Sequence, residues 1–153
     1  MNVVTLPAKN PSSPLAALSG HHVGIRVPDF AASKQWFIEK LDFRVVHEWP
    51  YADQKLAYVA PANDDHFFIE ILGDGNPLPL PKPLWTDLGD SLRLAGYHHA
   101  CFNVDSVEAT VAELRRRGVD IVTEPFVLPA VGRKLAFFAD PWGNLFELAE
   151  VVA

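Results

Sequence analysis

The stretch Asp140-Pro141-Trp142-Gly143-Asn144-Leu145-Phe146-Glu147-Leu148 decides the fold, because a turn here leads directly into a strand that carries a carboxylate. Proline fixes the backbone φ angle, and glycine and asparagine tolerate positive φ, so Asp-Pro followed by Gly-Asn is typical of a tight turn. The apolar residues after the turn predict a strand. Glu147 stands out among these apolar neighbours, and it is therefore the first candidate functional residue.

The same pattern of residues occurs twice in the chain. His99 opens a short apolar string 48 positions before Glu147, and the same interval separates His22 from Glu70. An offset of 77 residues relates the two pairs without a gap. It also superposes apolar positions and helix caps, among them Val27 on Val104, Asp29 on Ser106 and Phe37 on Leu114. Two pairs at one spacing inside matching strings indicate an internal duplication rather than coincidence.

Composition and charge narrow the classes of function. The chain has 153 residues, of which 49% are hydrophobic, as expected for a single globular domain. A net charge of −6 argues against a nucleic-acid surface, and no apolar run approaches the ~20 residues needed to cross a bilayer. Cys101 is the one cysteine, so no intrachain disulfide forms, and the N-terminus lacks a basic region followed by an apolar one. We therefore expect a cytoplasmic protein whose partner is a small molecule.

The predicted fold is α+β, with two tandem βαβββ modules. Residues 1–19 are an N-terminal extension on the surface or disordered, 20–72 the first module, 73–96 an extended proline-rich connector and 97–153 the second module. In the first module the strands are expected near residues 21–27, 43–49, 56–60 and 66–72. In the second they are expected near residues 97–104, 120–123, 134–138 and 145–151.

Strand parity predicts which side chains share a face. Because side chains alternate across a strand, His22, Glu70, His99 and Glu147 all point away from the helices. Two imidazoles and two carboxylates on one face are costly without a partner, and a divalent metal resolves that cost. The donors suit Ni, Zn, Fe, Mn or Co, and the sequence does not select among them.

The paired modules, the His and Glu positions and the closing Asp-Pro-Trp-Gly-Asn-Leu-Phe-Glu resemble the vicinal oxygen chelate superfamily. That group includes glyoxalase I, methylmalonyl-CoA epimerase, extradiol dioxygenases and the fosfomycin and bleomycin resistance proteins. The resemblance covers residues 20–151, and it implies that the two modules form an incomplete barrel around a metal-binding cup. It implies metal-assisted proton transfer next to a carbonyl, through an enediolate, with Glu147 or Glu70 as the catalytic base.

The four candidate ligands favour a glyoxalase-I-like reaction over the other members of the group. An epimerase of the methylmalonyl-CoA type, an Fe(II) dioxygenase and a metal-free binding protein of the resistance type remain as alternatives. Extradiol dioxygenases use only one glutamate, which would leave the Glu70 position unused. The modules pair either within one chain or by exchange across a homodimer.

The remaining candidates line the predicted cup. The predicted substrate-binding residues are those of the ligand face, namely Arg26, Asn103, Phe68, Cys101 and Leu145. Arg26 is a candidate for an anionic substrate group, with a structural ion pair as the competing interpretation. His21 and His98 are expected to support the neighbouring ligands, and His47 and His66 to lie on the surface.

Overall fold

Each half of the chain forms its own open sheet in the structure, a computed structural model that describes residues 6–78, 85 and 87–152. The elements of the first half are β1 (His22–Arg26), α1 (Phe30–Leu41), β2 (Arg44–Tyr51), β3 (Gln54–Ala60) and β4 (Phe68–Asp74). They build a four-stranded sheet in the order β1-β4-β3-β2. A short helix, α2 (Leu88–Ser91), precedes the second half.

The second half repeats the arrangement with one strand more. Its elements are β5 (His99–Asn103), α3 (Val107–Arg116), β6 (Asp120–Ile121), β7 (Phe126–Leu128), β8 (Arg133–Ala139) and β9 (Leu145–Val151). The strand order is β5-β9-β8-β6, and β7 pairs with β8. The prediction of an α+β fold made of two related modules is therefore confirmed.

The internal repeat is visible in the registers of the paired strands. In the first sheet β1 runs parallel to β4 with His22 beside Phe68, and in the second β5 runs parallel to β9 with His99 beside Leu145. Both members of the second pair are numbered 77 higher (22 to 99 and 68 to 145), and the same holds along both strands. The predicted offset is thus correct for the strands that carry the ligands.

The prediction that the repeat needs no gap is wrong for β3 and β8. Tyr58 pairs with Glu70, and Phe137 pairs with Glu147, so here the offset is 79. The tight turn before Glu147 shortens the link between β8 and β9 by two residues, because it replaces the longer loop that joins β3 to β4.

Equivalent caps start the two long helices. The side chain of Asp29 accepts a hydrogen bond from Ala32 N at 2.9 Å, and the side chain of Ser106 accepts one from Ala109 N at 3.2 Å. Asp42 ends α1 in the left-handed region with φ 53°. The caps predicted from the sequence are therefore present.

One hydrophobic core joins the modules. Phe37 of α1 and Phe146 of β9 are both fully buried, and their ring centroids lie 5.9 Å apart. Phe43 meets Phe102 of β5 in the same cluster. Because the core includes the helix-facing residues of both sheets, the faces that carry the four candidate ligands lie on the outside of it.

The sequence predicts an extended connector without a packed element, and the structure differs in the C-terminal part of the connector. The prolines at 79, 81 and 83 lie outside the described residues, but α2 is helical and Ser91 is buried. Trp85 donates its indole N–H to Gly143 O at 2.8 Å. The C-terminal part of the connector is therefore attached to the second module.

None of the described helices is both long and apolar enough to cross a membrane, since the longest, α1, has 12 residues.

Candidate functional site

The turn that precedes β9 holds Glu147 in place. Asp140 is fully buried, and its carboxylate accepts hydrogen bonds from Asn144 N at 2.8 Å and from Trp142 N at 3.0 Å. Gly143 supplies the positive φ of 78° that the turn requires. The turn thus fixes the start of β9 and, two residues later, the direction of the Glu147 side chain.

Glu147 pairs with His99 in the second module. Glu147 Oε2 lies 3.0 Å from His99 Nε2, and the side chains are 14% and 31% exposed. The carboxylate is thus largely withdrawn from water while one edge of the imidazole remains open. This is the pair predicted from the interval of 48 residues.

Glu70 and His22 form the equivalent pair in the first module. Glu70 Oε2 lies 3.4 Å from His22 Nε2, with exposures of 16% and 34% that nearly match those of the second pair. In each module an Nε2 atom and a carboxylate oxygen are therefore presented together on the face turned away from the core.

An aromatic ring packs against each of these imidazoles, and the sequence prediction missed both rings. Tyr58 lies with its centroid 5.1 Å from His22, and Phe137 lies 5.2 Å from His99 in an edge contact. Each ring comes from the strand beside the one that carries the glutamate. Alternation along β3 and β8 predicts that both rings lie on the ligand face, but the two residues are not related by the offset of 77.

The histidines that precede the ligands contact them directly. The Nδ1 atoms of His21 and His22 lie 2.8 Å apart, and those of His98 and His99 lie 2.7 Å apart. Burial, followed by the neighbouring His99, lowers the pKa of His98, although Glu147 opposes this shift. These contacts agree with the predicted supporting role.

Cys101 lies beside Glu147 on the ligand face. Cys101 is exposed at the surface of the sheet, but partial desolvation of the thiol, together with the charge of Glu147 and a hydrogen bond to it, raises its pKa to about 12, although Arg133 opposes this shift. The sulfur is therefore a thiol at neutral pH, which is a poor metal ligand and a poor nucleophile.

Arg26, the predicted anion-binding residue, is engaged by the backbone. Its Nη1 atom donates to Val27 O and Leu72 O, both at 2.8 Å, and its Nη2 atom donates to Asp74 O. The contacts support the structural interpretation, although the partners are carbonyl groups rather than the acidic side chain that the sequence suggested.

Arg133 lies on the ligand face of the second sheet. Its side chain has no ion pair or hydrogen bond among the described residues. It alternates with Leu135 and Phe137 along β8, and it lines a hollow of about 380 Å³ together with the predicted residue Asn103. Its neighbour Lys134 is instead paired with Glu108 and Glu150. Arg133 is therefore available to an anionic ligand.

The remaining predicted residues lie beside the histidines of the two pairs or at the surface. Phe68 contacts the ring of His21, and Leu145 is buried beside His99 at the base of the ligand face. His47 and His66 are exposed as expected, and His47 stacks on Trp49.

The four candidate ligands do not meet within one chain. No group of three or more His, Cys, Asp or Glu side chains that could hold a metal occurs in the part of the chain that the structure describes. The two pairs therefore form two half-sites, each of one imidazole nitrogen and one carboxylate. Four such donors together fit a divalent transition metal, because imidazole and carboxylate suit these ions and retain open positions for substrate.

A cleft between the modules lies elsewhere. It measures about 820 Å³ and is lined by the C-terminal ends of α1 and α3 and by part of β5. None of the four candidate ligands lines it, and its charged residues Lys40, Glu113 and Arg117 are already bonded to one another or to neighbouring backbone. The four candidate ligands therefore lie outside this cleft, whereas the predicted substrate-binding residues Cys101 and Asn103 are part of its lining.

Comparison with known proteins adds a family match that extends over both modules. The family model described as "Glyoxalase/Bleomycin resistance protein/Dioxygenase superfamily" matches residues 20–148. An uncharacterized protein, YwkD of Bacillus subtilis, is 30% identical over 85% of this chain and 94% of its own length. The mitochondrial methylmalonyl-CoA epimerase of Homo sapiens is 26% identical over 97% of this chain and 87% of its own. The crystal structure of a glyoxalase family protein from Enterococcus faecalis superposes with a TM-score of 0.67 at 26% identity, over 86% of this chain and 97% of that one.

Proposed function

Because this chain belongs to the Glyoxalase/Bleomycin resistance protein/Dioxygenase superfamily, we propose that it is a metal-dependent enzyme that transfers a proton next to a carbonyl group. His22, Glu70, His99 and Glu147 would hold the metal. A divalent metal, when bound, supplies Lewis-acid polarisation of the substrate carbonyl, which acidifies the neighbouring C–H bond.

The observation that carries the proposal is the presence of two equivalent carboxylates, each beside an imidazole Nε2. Epimerisation removes a proton from one face of a carbon and returns it to the other, so it benefits from a base on each side. Glu70 and Glu147 come from related strands of different sheets, and they suit these two roles. Tyr58 and Phe137 pack beside the imidazoles and would limit the access of water to the reacting carbon.

The site would be completed by a second copy of the chain. Strands β1 and β5, which carry His22 and His99, are edge strands of their sheets, and the ligand faces lie outside the shared core. Edge strands have unpaired backbone groups and are natural places for a partner to join. In such a homodimer, each metal would take one half-site from each subunit.

An acyl-thioester epimerase ranks first among the reactions of this type. The relatives named methylmalonyl-CoA epimerase match nearly the whole chain in sequence, and Arg133 offers a cation for an anionic part of such a substrate. Arg133 is four residues from Phe137, so it lies about 13 Å along the strand from the position of Glu147. The glyoxalase-I-like conversion, which the ligand motif favoured, needs the same proton transfer and ranks second.

The test is a substrate screen on protein loaded with Ni, Zn, Co, Mn or anaerobic Fe(II). An epimerase would exchange the α-proton of a methylmalonyl-CoA-type thioester in deuterated water, and a glyoxalase would form a thioester from methylglyoxal and glutathione. Glu147→Gln and Glu70→Gln should each reduce the rate about 100-fold or more, since each removes a base. Glu124→Gln, at an exposed carboxylate paired with Arg115, serves as the control. Oxygen uptake with a catechol only in the Fe(II) form, or no reaction with any metal, would contradict the proposal.

A further inference from the structure

A chain of contacts leads from the His99 ring, on the side away from Glu147, to helix α2. His99 Nδ1 lies 2.7 Å from His98 Nδ1, and His98 Nε2 lies 2.9 Å from Ser91 Oγ. Ser91 Oγ in turn lies 2.7 Å from Leu88 O. All three separations are hydrogen-bond distances, so each link needs one hydrogen atom.

The carbonyl at the far end favours one order of the hydrogens. Leu88 O only accepts, so the hydroxyl of Ser91 donates to it, and Ser91 Oγ then accepts from His98 Nε2–H. In the imidazole form of His98 that has its single N–H on Nε2, the Nδ1 atom is an acceptor. The hydrogen in the last link belongs to His99 Nδ1, which leaves a lone pair on His99 Nε2.

We propose that Ser91 and His98 are positioning residues that hold His99 in the tautomer whose Nε2 lone pair is available to a metal. The inference rests on the proposed metal site. A histidine binds a metal through a nitrogen that lacks a hydrogen, and a hydrogen bond at the other nitrogen selects that tautomer and orients the ring. With this order His99 Nε2 and the carboxylate of Glu147 face each other at 3.0 Å as two acceptors. A cation beside both atoms stabilises this arrangement.

The reverse order of hydrogens is disfavoured at the α2 end. It would place a hydrogen on His99 Nε2 and turn the Ser91 hydroxyl toward His98. Ser91 Oγ and Leu88 O would then remain 2.7 Å apart with no hydrogen between two oxygens. Ser91 is 1% exposed, so solvent does not relieve this contact.

The first module lacks this anchor, which provides a matched comparison. His21 contacts His22 through the same two atoms, but it is exposed, and its Nε2 has no hydrogen-bond partner among the described residues. The position 77 residues before Ser91 is occupied by Pro14, which has no hydroxyl. The connector helix therefore serves one half-site only.

Zinc affinity of the full-length protein, measured by competition with a chelating dye, tests the inference. Ser91→Ala and His98→Ala should weaken zinc binding about 10- to 100-fold, as is typical when a partner behind a metal ligand is lost. Ser91→Thr keeps the hydroxyl and should restore most of the affinity. His21→Ala should have a smaller effect than His98→Ala, because water can replace the exposed His21 ring.

Imidazole ¹⁵N shifts of the zinc-loaded wild type provide a second measurement that does not depend on how a variant folds. We expect His98 to carry its hydrogen on Nε2 and His99 on Nδ1. Wild-type zinc affinity in Ser91→Ala, even with a lowered melting temperature, would reduce Ser91 to a structural role and overturn the inference, as would a hydrogen on His98 Nδ1. Zinc binding by the wild type no better than by His99→Ala would instead overturn the proposed metal site and the inference with it.

Discussion

Glu147 and Glu70 differ in their neighbour on the adjacent parallel strand. The residue beside Glu147 in the register is Cys101, whereas the residue beside Glu70 is Gly24. A Cβ atom at Gly24 would lie 3.4 Å from Glu70 Oε2, so the first half-site leaves this space open. The two carboxylates are thus equivalent in position, but only Glu147 has a thiol as a neighbour.

This thiol should react slowly in the folded protein. Although Cys101 is exposed, partial desolvation of the thiol and the neighbouring Glu147 raise its pKa to about 12, so at about pH 8 little thiolate is present. Alkylation by iodoacetamide, followed by mass spectrometry, should be much slower in the native protein than in urea. Glu147→Gln should accelerate the reaction because it removes the adjacent negative charge, and Glu70→Gln should not. Equal rates in native and unfolded protein would contradict the shifted pKa.

The same shift predicts a dependence of stability on pH. The folded state holds the Cys101 proton more tightly than the unfolded state, whose thiol has a pKa near 9.0. The resulting stability is fully present below about pH 9 and is lost as the pH rises toward 12. The free energy of unfolding of the wild type, measured in urea, should therefore fall more steeply over this range than that of Cys101→Ser. Parallel curves for the two proteins would show that Cys101 does not contribute.

Two arginines at the ligand faces should differ in what their loss affects. Arg26 donates to three backbone carbonyls at the ends of β1 and β4, so Arg26→Ala should destabilise the fold by about 1–3 kcal/mol. Arg133 has no such partner within the described chain, so Arg133→Ala should change stability by less than about 0.5 kcal/mol. It should instead raise KM for an anionic substrate with little change in kcat. A normal KM in Arg133→Ala together with a raised KM in Arg26→Ala would return the anion-binding role to Arg26.

At the scale of the elements, Arg117 links the C-terminal ends of the two long helices. Its guanidinium pairs with Asp42 at 2.8 Å and with Glu113 at 2.7 Å, and Lys40 Nζ donates to Arg117 O at 2.6 Å. The hydrogen bonds and charges of Arg116 and Arg117 lower the pKa of Glu113 to about 2. The contact therefore joins α1 of one module to α3 of the other.

Arg117→Ala should lower the melting temperature by about 3–6 °C, because it removes a link between the modules. Arg115→Ala is the matched control, since Arg115 lies on the same helix and its one ion pair within the described residues is with the exposed Glu124. Exposed ion pairs of that kind contribute little. Equal melting temperatures for the two variants would show that the link is not important for stability.

The elements that carry the candidate ligands could be predicted from the sequence, and those that support them could not. Alternation and turn residues placed β1, β4, β5 and β9 to within about two residues, because one face of each strand is buried and so imposes a period of two. Helix α2 was missed because four residues show no helical periodicity, and its Ser91 is held by contact with His98. Tyr58 and Phe137 were missed because the two-residue difference between the loops breaks the offset of 77.

At the scale of the whole molecule, the shared core determines where the half-sites lie. The helix-facing sides of both sheets are used to join the modules within one chain. The ligand faces are therefore left outside, with His22 and His99 on free sheet edges. The sequence does not show whether the two ligand faces meet within one chain or between two chains. Both arrangements have the same alternation of side chains along the strands. The packing of Phe37 against Phe146 and of Phe43 against Phe102 separates them.

Metal binding by mixed subunits tests most directly whether the two half-sites join between chains. One variant carries His22→Ala with Glu70→Gln, and the other carries His99→Ala with Glu147→Gln, so neither forms a complete site alone. After the two are unfolded and refolded together, we expect half of the dimers to be mixed, each with one intact site of two. Tightly bound metal should then recover to about a quarter of the wild-type level per chain. No recovery, in a mixture whose subunit exchange is verified by co-purification of a tagged chain, would contradict a site shared between subunits.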